Sequence, residues 1–420
     1  MLVNQQNNFA FSNHVCNLVV LYVCGMCLAL FMSCTDPKTL ASDSELIPPL
    51  SINHEHRGAF LGVWGRNFNP NSEKVWFVGG EVQSANESHS LIASYTQNSA
   101  IPQGILQLEH EQVGGVLWWA WGDQKDQVWA AGEQGTILRA TQSTDLSQWT
   151  QESLMMADEA KEKLIIWGLW GTQVEKENDE AYTQVWAVGG SVRRGGPKGV
   201  LLKRNQQGQW TRVLNNFLPI ESADDPLQGT NLYKIWGTQN EVWLIGEGSL
   251  VLKAHLQVSE TGLDLVDWEK QTLDSERPEL LFTISGMPST EQAGSELSPW
   301  IVGGYAQGKA WYWGQNQWKQ LDLPQVPSLN GIAVSQDLIV ASGQQGLVLA
   351  WPNKASGQLS QSIEQQWVQG AESMTLHSIW PNTEGKFWIV GGDLSTMQTG
   401  VIIGPQAWQN DASALQVQVW

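Results

Sequence analysis

The sequence predicts an all-β chain closed into a ring of seven similar sheets, and three observations carry that reading. A short word of the type VWxVGG recurs seven times after residue 60. Tryptophan reaches 24 residues where tyrosine is 6 and phenylalanine 9, so one position is being used many times over rather than a varied core being filled. The apolar runs around each word are too short for a helical period and are separated by Gly, Asn, Gln and Asp, so they read as strands joined by turns. One four-stranded sheet cannot bury both of its faces, whereas a ring of such sheets can. The fold class expected is therefore a β-propeller of seven blades, each with four antiparallel strands.

Taken from the N-terminus, the first element is the apolar run VCNLVVLYVCGMCLALFM at residues 15–32. It is long for the apolar part of a secretory signal and close to the minimum for a membrane span, and either fate exports the rest of the chain. All four cysteines, Cys16, Cys24, Cys27 and Cys34, lie in or just after it, so no thiol is left in residues 35–420 for a disulfide or a thiolate metal site. LALFMSC resembles the lipobox of bacterial lipoproteins. That resemblance implies a signal peptide over residues 1–33, lipidation of Cys34 and, with Thr35 as the next residue, sorting to the outer membrane. The alternative is an uncleaved N-terminal anchor helix. Residues 34–58 are polar and contain Pro37, Pro48 and Pro49, so they read as a lipid-anchored tether. His54 and His56 fall in this tether, where a solvated segment is favoured over a metal site.

The propeller is expected over residues 59–420. Calling the strands of each blade A to D outward from the axis, the B words are KVWFVGG (74–80), QVWAAGE (127–133), QVWAVGG (184–190), EVWLIGE (241–247), PWIVGG (299–304), DLIVASG (337–343) and KFWIVGG (386–392). Their tryptophans stand at 76, 129, 186, 243, 300 and 388, with Ile339 expected at that position in the sixth copy, so the period runs from about 40 to 57 residues. Each is preceded by an A word: GVWG ending at Gly65, WAWG at Gly122, GLWG at Gly171, KIWG at Gly237, and then the degraded TISG at Gly286, IAVS at Ser335 and SIWP at Pro381. A third run such as GTILRA or GVLLKR supplies strand C, and a fourth around Trp149, Trp210, Trp268, Trp318 or Trp367 supplies strand D. The flat indoles are expected to fill the wedge between blades.

These units resemble the tryptophan-rich propeller repeats of exported bacterial proteins, related to the photosystem II assembly-factor type and to sialidase-like propellers. Kelch repeats are the second resemblance, on the double glycine and trailing tryptophan of VWAVGGSVRRGGPKGVLLKRNQQGQW, although the tyrosine of a kelch unit is missing. Neither the S-x-D-x-G-x-x-W box of sialidases nor the G-H to W-D pairing of WD repeats occurs.

Chemistry-bearing motifs are few. The chain holds no H-E-x-x-H, G-x-S-x-G, Walker or EF-hand pattern, so no cofactor and no metal are expected. A formal charge of -19 disfavours nucleic acid and acidic membrane surfaces as partners. The residue after the turn glycine is acidic in four copies, Glu81, Glu133, Glu247 and Asp393, while Ser191, Tyr305 and Gln344 stand there in the others. A ring of carboxylates would hold a cation or a basic partner. A carboxylate accepting backbone amides in a tight turn explains the recurrence without requiring convergence, and is favoured. In the third copy GGSVRRGGPKG places Arg193, Arg194 and Lys198 on the same rim, either as a basic finger for an anionic group or as a solvated hairpin tip.

Three functions fit these observations. The first is a non-catalytic binding or scaffold module for a protein or glycan partner at the bacterial cell envelope, anchored to the membrane through Cys34, with Arg193, Arg194 and Tyr305 as leading contacts and the four acidic residues secondary. The second is a sialidase-like glycoside hydrolase or lyase, which needs an arginine cluster and a tyrosine nucleophile. The third, on the resemblance alone, is an assembly factor for an envelope complex.

Overall fold

The computed structural model describes residues 58–404 and 417–419, apart from 70–71, 85–86, 99–100, 124–126, 142–147, 177–178, 214–228, 260–261, 276, 288–298, 354–362 and 383–385. Residues 1–33, Cys34 and the tether through residue 57 lie outside the described residues, as do His54 and His56.

Seven antiparallel sheets are built in chain order, and each has the strand order A-B-C-D. Blade 1 runs from Ala59 to Val113, blade 2 from Leu117 to Gln151, blade 3 from Ile165 to Arg212 and blade 4 from Leu232 to Gln271. Blade 5 runs from Leu281 to Gln320, blade 6 from Leu329 to Trp367 and blade 7 from Thr375 to Val419. The A strands of successive blades pack on one another, and strand A of blade 7 packs on that of blade 1, which closes the ring. Helix is confined among the described residues to Asp158–Lys163 and a 3-10 turn at Glu247–Ser249, and none is long and apolar enough to cross a membrane. One strand departs from the four-strand plan: Ser153–Met155, in the connection from blade 2 to blade 3, pairs in parallel with Gln209–Arg212 at the outer edge of blade 3.

The core lies between blades, not within them. The B-strand tryptophan, present in every blade but the sixth, points at the next blade: Trp129 of blade 2 is buried with Ile166, Leu169 and Trp210 of blade 3, and Trp243 of blade 4 with Ile284, Trp311 and Trp318 of blade 5. Burying one such indole is worth about 3–5 kcal/mol on truncation.

The A word has a reason of its own. Its tryptophan stands directly opposite the B tryptophan of the same blade, Trp64 on Trp76, Trp121 on Trp129 and Trp170 on Trp186, with ring centroids 5.9, 5.7 and 5.6 Å apart. The same indole then covers the glycine of the next blade's A word. A methyl group placed on Gly65 would lie 2.6 Å from the Trp380 ring, on Gly122 2.7 Å from Trp64, and on Gly286 2.5 Å from Trp236. Glycine is therefore required only where the preceding blade supplies a ring. Blade 5 has Ser285 at the A-tryptophan position and blade 6 has Ala333, and the positions they face, Val334 in blade 6 and Pro381 in blade 7, carry side chains.

Blade 6 also corrects an alignment. Val340, not Ile339, pairs with Ala333 at the level where the other blades pair their A and B tryptophans, and Val340 faces blade 7 while Ile339 faces blade 5. Likewise Val334, not Ser335, takes the glycine position of the A word. The word DLIVASG has one glycine at its end, and that glycine corresponds to the first of the pair in QVWAVGG: Gly343 and Gly189 both abut a carbonyl at the start of their A strand, that of Ser328 or Ile165. Reading from the last glycine shifts the whole word by one residue.

Candidate functional site

Each A strand begins where its B strand ends, as the pairing of Leu117 with Gly132 shows, so the B–C loops and the starts of the A strands share one rim of the ring. The four acidic residues stand on this side but not at one level. Glu133 and Glu247 are equivalent: each donates its backbone N–H to the residue before strand A, Val116 or Asn231, and accepts that residue's N–H on its carboxylate at 3.4 and 3.3 Å. Asp393 lies one residue further along its word and accepts the Ser395 N–H, the Ser395 hydroxyl and the Thr396 hydroxyl, and the Ser395 hydroxyl leads in holding its carboxyl below the usual range. Glu81 is inside a long B strand, Ser72–Ser84, and pairs with His89.

The basic loop of blade 3 is exposed at Val192, Arg193 and Arg194. Its base is held on both sides. The Ser191 N–H donates to Asn231 Oδ1 at 3.0 Å, the Arg193 N–H donates to the Ser191 hydroxyl at 3.0 Å, and Arg212 Nη2 donates to the Lys198 carbonyl at 2.9 Å. Lys198 Nζ lies 3.8 Å from the Glu247 carboxylate of blade 4. Beside Glu247, burial, with lesser effects from the charges of Glu247 and Tyr305, pushes the Tyr233 phenol up to about 12. Lys198 and Glu247 thus join blades 3 and 4 on this rim, and Tyr305 stands exposed after the turn glycine of blade 5. Part of the connection between blades 2 and 3 reaches this rim too, since the Gly135 N–H in the B–C turn of blade 2 donates to the Leu164 carbonyl.

Below the rim every A strand breaks register at one equivalent position, at Leu61, Trp118, Trp167, Tyr233, Phe282, Asn330 and His377. A bulge adds one residue to a strand and re-aims the side chains beside it. Two of these breaks carry long contacts toward blade 2. Lys234 of blade 4 reaches past blade 3, donating to the Trp167 carbonyl, and its Nζ lies 3.9 Å from the Trp119 ring centroid. His377 of blade 7 reaches past blade 1, with Nδ1 2.6 Å from the Leu61 carbonyl and its ring 5.7 Å from that of Trp118. Burial pushes Lys234 down to about 7. Burial and then the charge of Lys234 push His377 down to about 3.

Two buried carboxylates also escaped sequence reading. Glu109 accepts Trp76 Nε1 of its own blade and Trp149 Nε1 of the next, both at 3.1 Å, together with the Ser94 hydroxyl and Lys74 Nζ. Glu152 accepts Trp129 Nε1 and Trp210 Nε1 at 3.2 and 2.8 Å and holds Arg204 in a two-pronged pair. Each fastens one blade to its neighbour. Among the described residues no group of three or more His, Cys, Asp and Glu side chains is placed to hold a metal ion.

No family model matches this chain, and no curated protein matches it. Among solved structures it is similar to YCF48 from Cyanidioschyzon merolae, at 10% identity over 82% of this chain and 95% of that one, with a TM-score of 0.46. It is also similar to YCF48 bound to D1 peptide, at 13% identity over 68% and 76% with a TM-score of 0.42, and to Sqt1 of Saccharomyces cerevisiae, at 12% over 87% and 96% with a TM-score of 0.47.

Proposed function

We propose that this protein is an exported, lipid-anchored scaffold propeller that holds an acidic protein or glycan partner on its B–C rim at the bacterial cell envelope and catalyses no reaction. The observation that carries the reading is the blade 3 loop. Its base is hydrogen-bonded to Asn231 and Arg212 while Val192, 72% exposed, and the two arginines beyond it face solvent. A loop held at its base presents its side chains with little ordering left to do on binding. In a chain of net charge -19, Arg193 and Arg194 make a local positive field, and Tyr305, 59% exposed, adds an aromatic surface of the kind that anchors interfaces. Lipidation at Cys34 would keep that rim within reach of envelope partners.

The experiment is capture from the native envelope by the full-length protein and by its Arg193→Ala/Arg194→Ala variant. Both should fold alike, because surface loop changes cost within about 0.5 kcal/mol. The variant should recover less partner, and the difference should shrink as salt screens the attraction. Equal capture at low salt removes the arginines from the reading, and turnover of a sialoside or another glycoside by the parent replaces the scaffold with a hydrolase.

A further inference from the structure

Lys198 closes the basic loop of blade 3, and its backbone is anchored from two directions. Its carbonyl accepts Arg212 Nη2 at 2.9 Å, and the next residue, Gly199, donates its N–H to the Thr230 carbonyl at 2.8 Å. The side chain is held far more loosely. It is 33% exposed, and its ammonium lies 3.8 Å from Glu247 Oε2, too far for a hydrogen bond, while the Glu247 side chain is itself 50% exposed. An ion pair of that length between partly exposed side chains is weak.

Glu247 keeps its place without the lysine. Its N–H donates to the Asn231 carbonyl at 2.9 Å, and the same carboxylate oxygen that faces Lys198 accepts the Asn231 N–H at 3.3 Å. Glu133 does the equivalent in blade 2, where its carboxylate accepts the Val116 N–H at 3.4 Å, and among the described residues it makes no ion pair. The turn therefore accounts for the carboxylate in both blades. The lysine beside it is an addition made at the junction of blades 3 and 4, in the loop that carries Arg193 and Arg194.

We propose that Glu247 stands in for an acidic side chain of a protein partner. When an Asp- or Glu-rich segment meets Arg193 and Arg194, one of its carboxylates takes Lys198 from Glu247, and Lys198 becomes the third cation of the site. This rests on the rim reading above. The exchange costs little, because Glu247 retains the Asn231 N–H, and a partner carboxylate that closes to hydrogen-bond distance on the ammonium gains more than the long pair gives up. Two features select an acidic polypeptide over an acidic glycan: the carboxylate already beside Lys198 is a glutamate side chain, and exposed Val192, next to the arginines, offers an apolar contact that a protein segment matches.

The test titrates the full-length protein at low salt with a labelled oligo-L-glutamate and, as the glycan, an oligogalacturonate of the same charge. Glu247→Gln, which keeps an oxygen for the Asn231 N–H, should bind oligo-L-glutamate about threefold more tightly than the parent. Lys198→Met should weaken binding, and in that background Glu247→Gln should bring no gain. Glu133→Gln removes the same charge from the equivalent turn of blade 2 and should give no comparable gain. A gain that survives in Lys198→Met, or one matched by Glu133→Gln, is a general change of charge and overturns the exchange, as does the absence of any gain. Tighter binding of oligogalacturonate than of oligo-L-glutamate overturns the polypeptide partner. Arg193→Ala/Arg194→Ala in the same titration reports on the rim by itself: binding equal to the parent's removes the rim reading, whereas weakened binding without a Glu247→Gln gain leaves the rim standing and removes only the exchange.

Discussion

The indole of Trp380, on the last blade, lies over Gly65 on the first, where an added methyl group would come within 2.6 Å of the ring. The three nearest atoms to that methyl all belong to Trp380. Gly65→Ala should therefore destabilise the protein by about 1–3 kcal/mol through overpacking. In a Trp380→Ala background the same change should cost little. A double-mutant cycle by urea unfolding measures the coupling, and additive effects would show that the ring does not dictate the glycine.

Glu109 collects four donors inside the first two blades, and its side chain is fully buried. Glu109→Ala should cost about 3–5 kcal/mol, because it removes the buried carboxylate on which the Lys74 ammonium and two indole N–H groups converge. Glu109→Gln keeps the acceptor oxygen and should cost less. A lowered urea midpoint with an unchanged slope is the expected signature.

Lys234 gives the stability curve a defined limb. Its ammonium titrates near 7 in the folded chain and at 10.5 when exposed, so between those values the unfolded state holds more protons and stability rises with pH. The parent should gain about 1.4 kcal/mol per pH unit over that window relative to Lys234→Met. Below pH 7 both states are protonated and the difference should be flat. A flat difference across pH 7 to 10.5 would mean that the folded-state ammonium is not perturbed.

The proposed lipidation of Cys34 makes its own prediction. Processing should be sensitive to globomycin, should release residues 1–33, and should be lost in Cys34→Ala. Unchanged length and unchanged membrane association in that variant would favour the anchor-helix alternative.

The ring and its blade count are legible in the sequence because one word is repeated, and repetition survives the loss of any single letter. Blade 6 reads one residue out of step because its word aligns by eye on the final glycine, while the strand aligns on the glycine that meets strand A, and only pairing distinguishes them. The same ambiguity makes Glu81 and Asp393 look equivalent to Glu133 and Glu247. Glu109 and Glu152 are invisible for another reason: the indoles they accept lie 23 to 58 residues away, and nothing local marks a carboxylate as buried. Lys234 does leave a signal. In LYKIWG a charged residue interrupts an A strand where other blades place glycine, tryptophan, threonine or serine, and the pattern asks what neutralises it.

Closure of the ring has a further consequence. Blade 7 takes all four strands from its own stretch of chain, so the seam with blade 1 is held by side chains such as Trp388, whose Nε1 donates to Glu73, and by His377 on the Leu61 carbonyl. No blade is stitched from both ends of the chain. The seam thus resembles the other six junctions, and the ring has no privileged starting point. A circular permutant, cut between two other blades and joined across Gly58 and Val419, keeps every sheet intact and has only to re-form one junction of a kind the ring already makes six times.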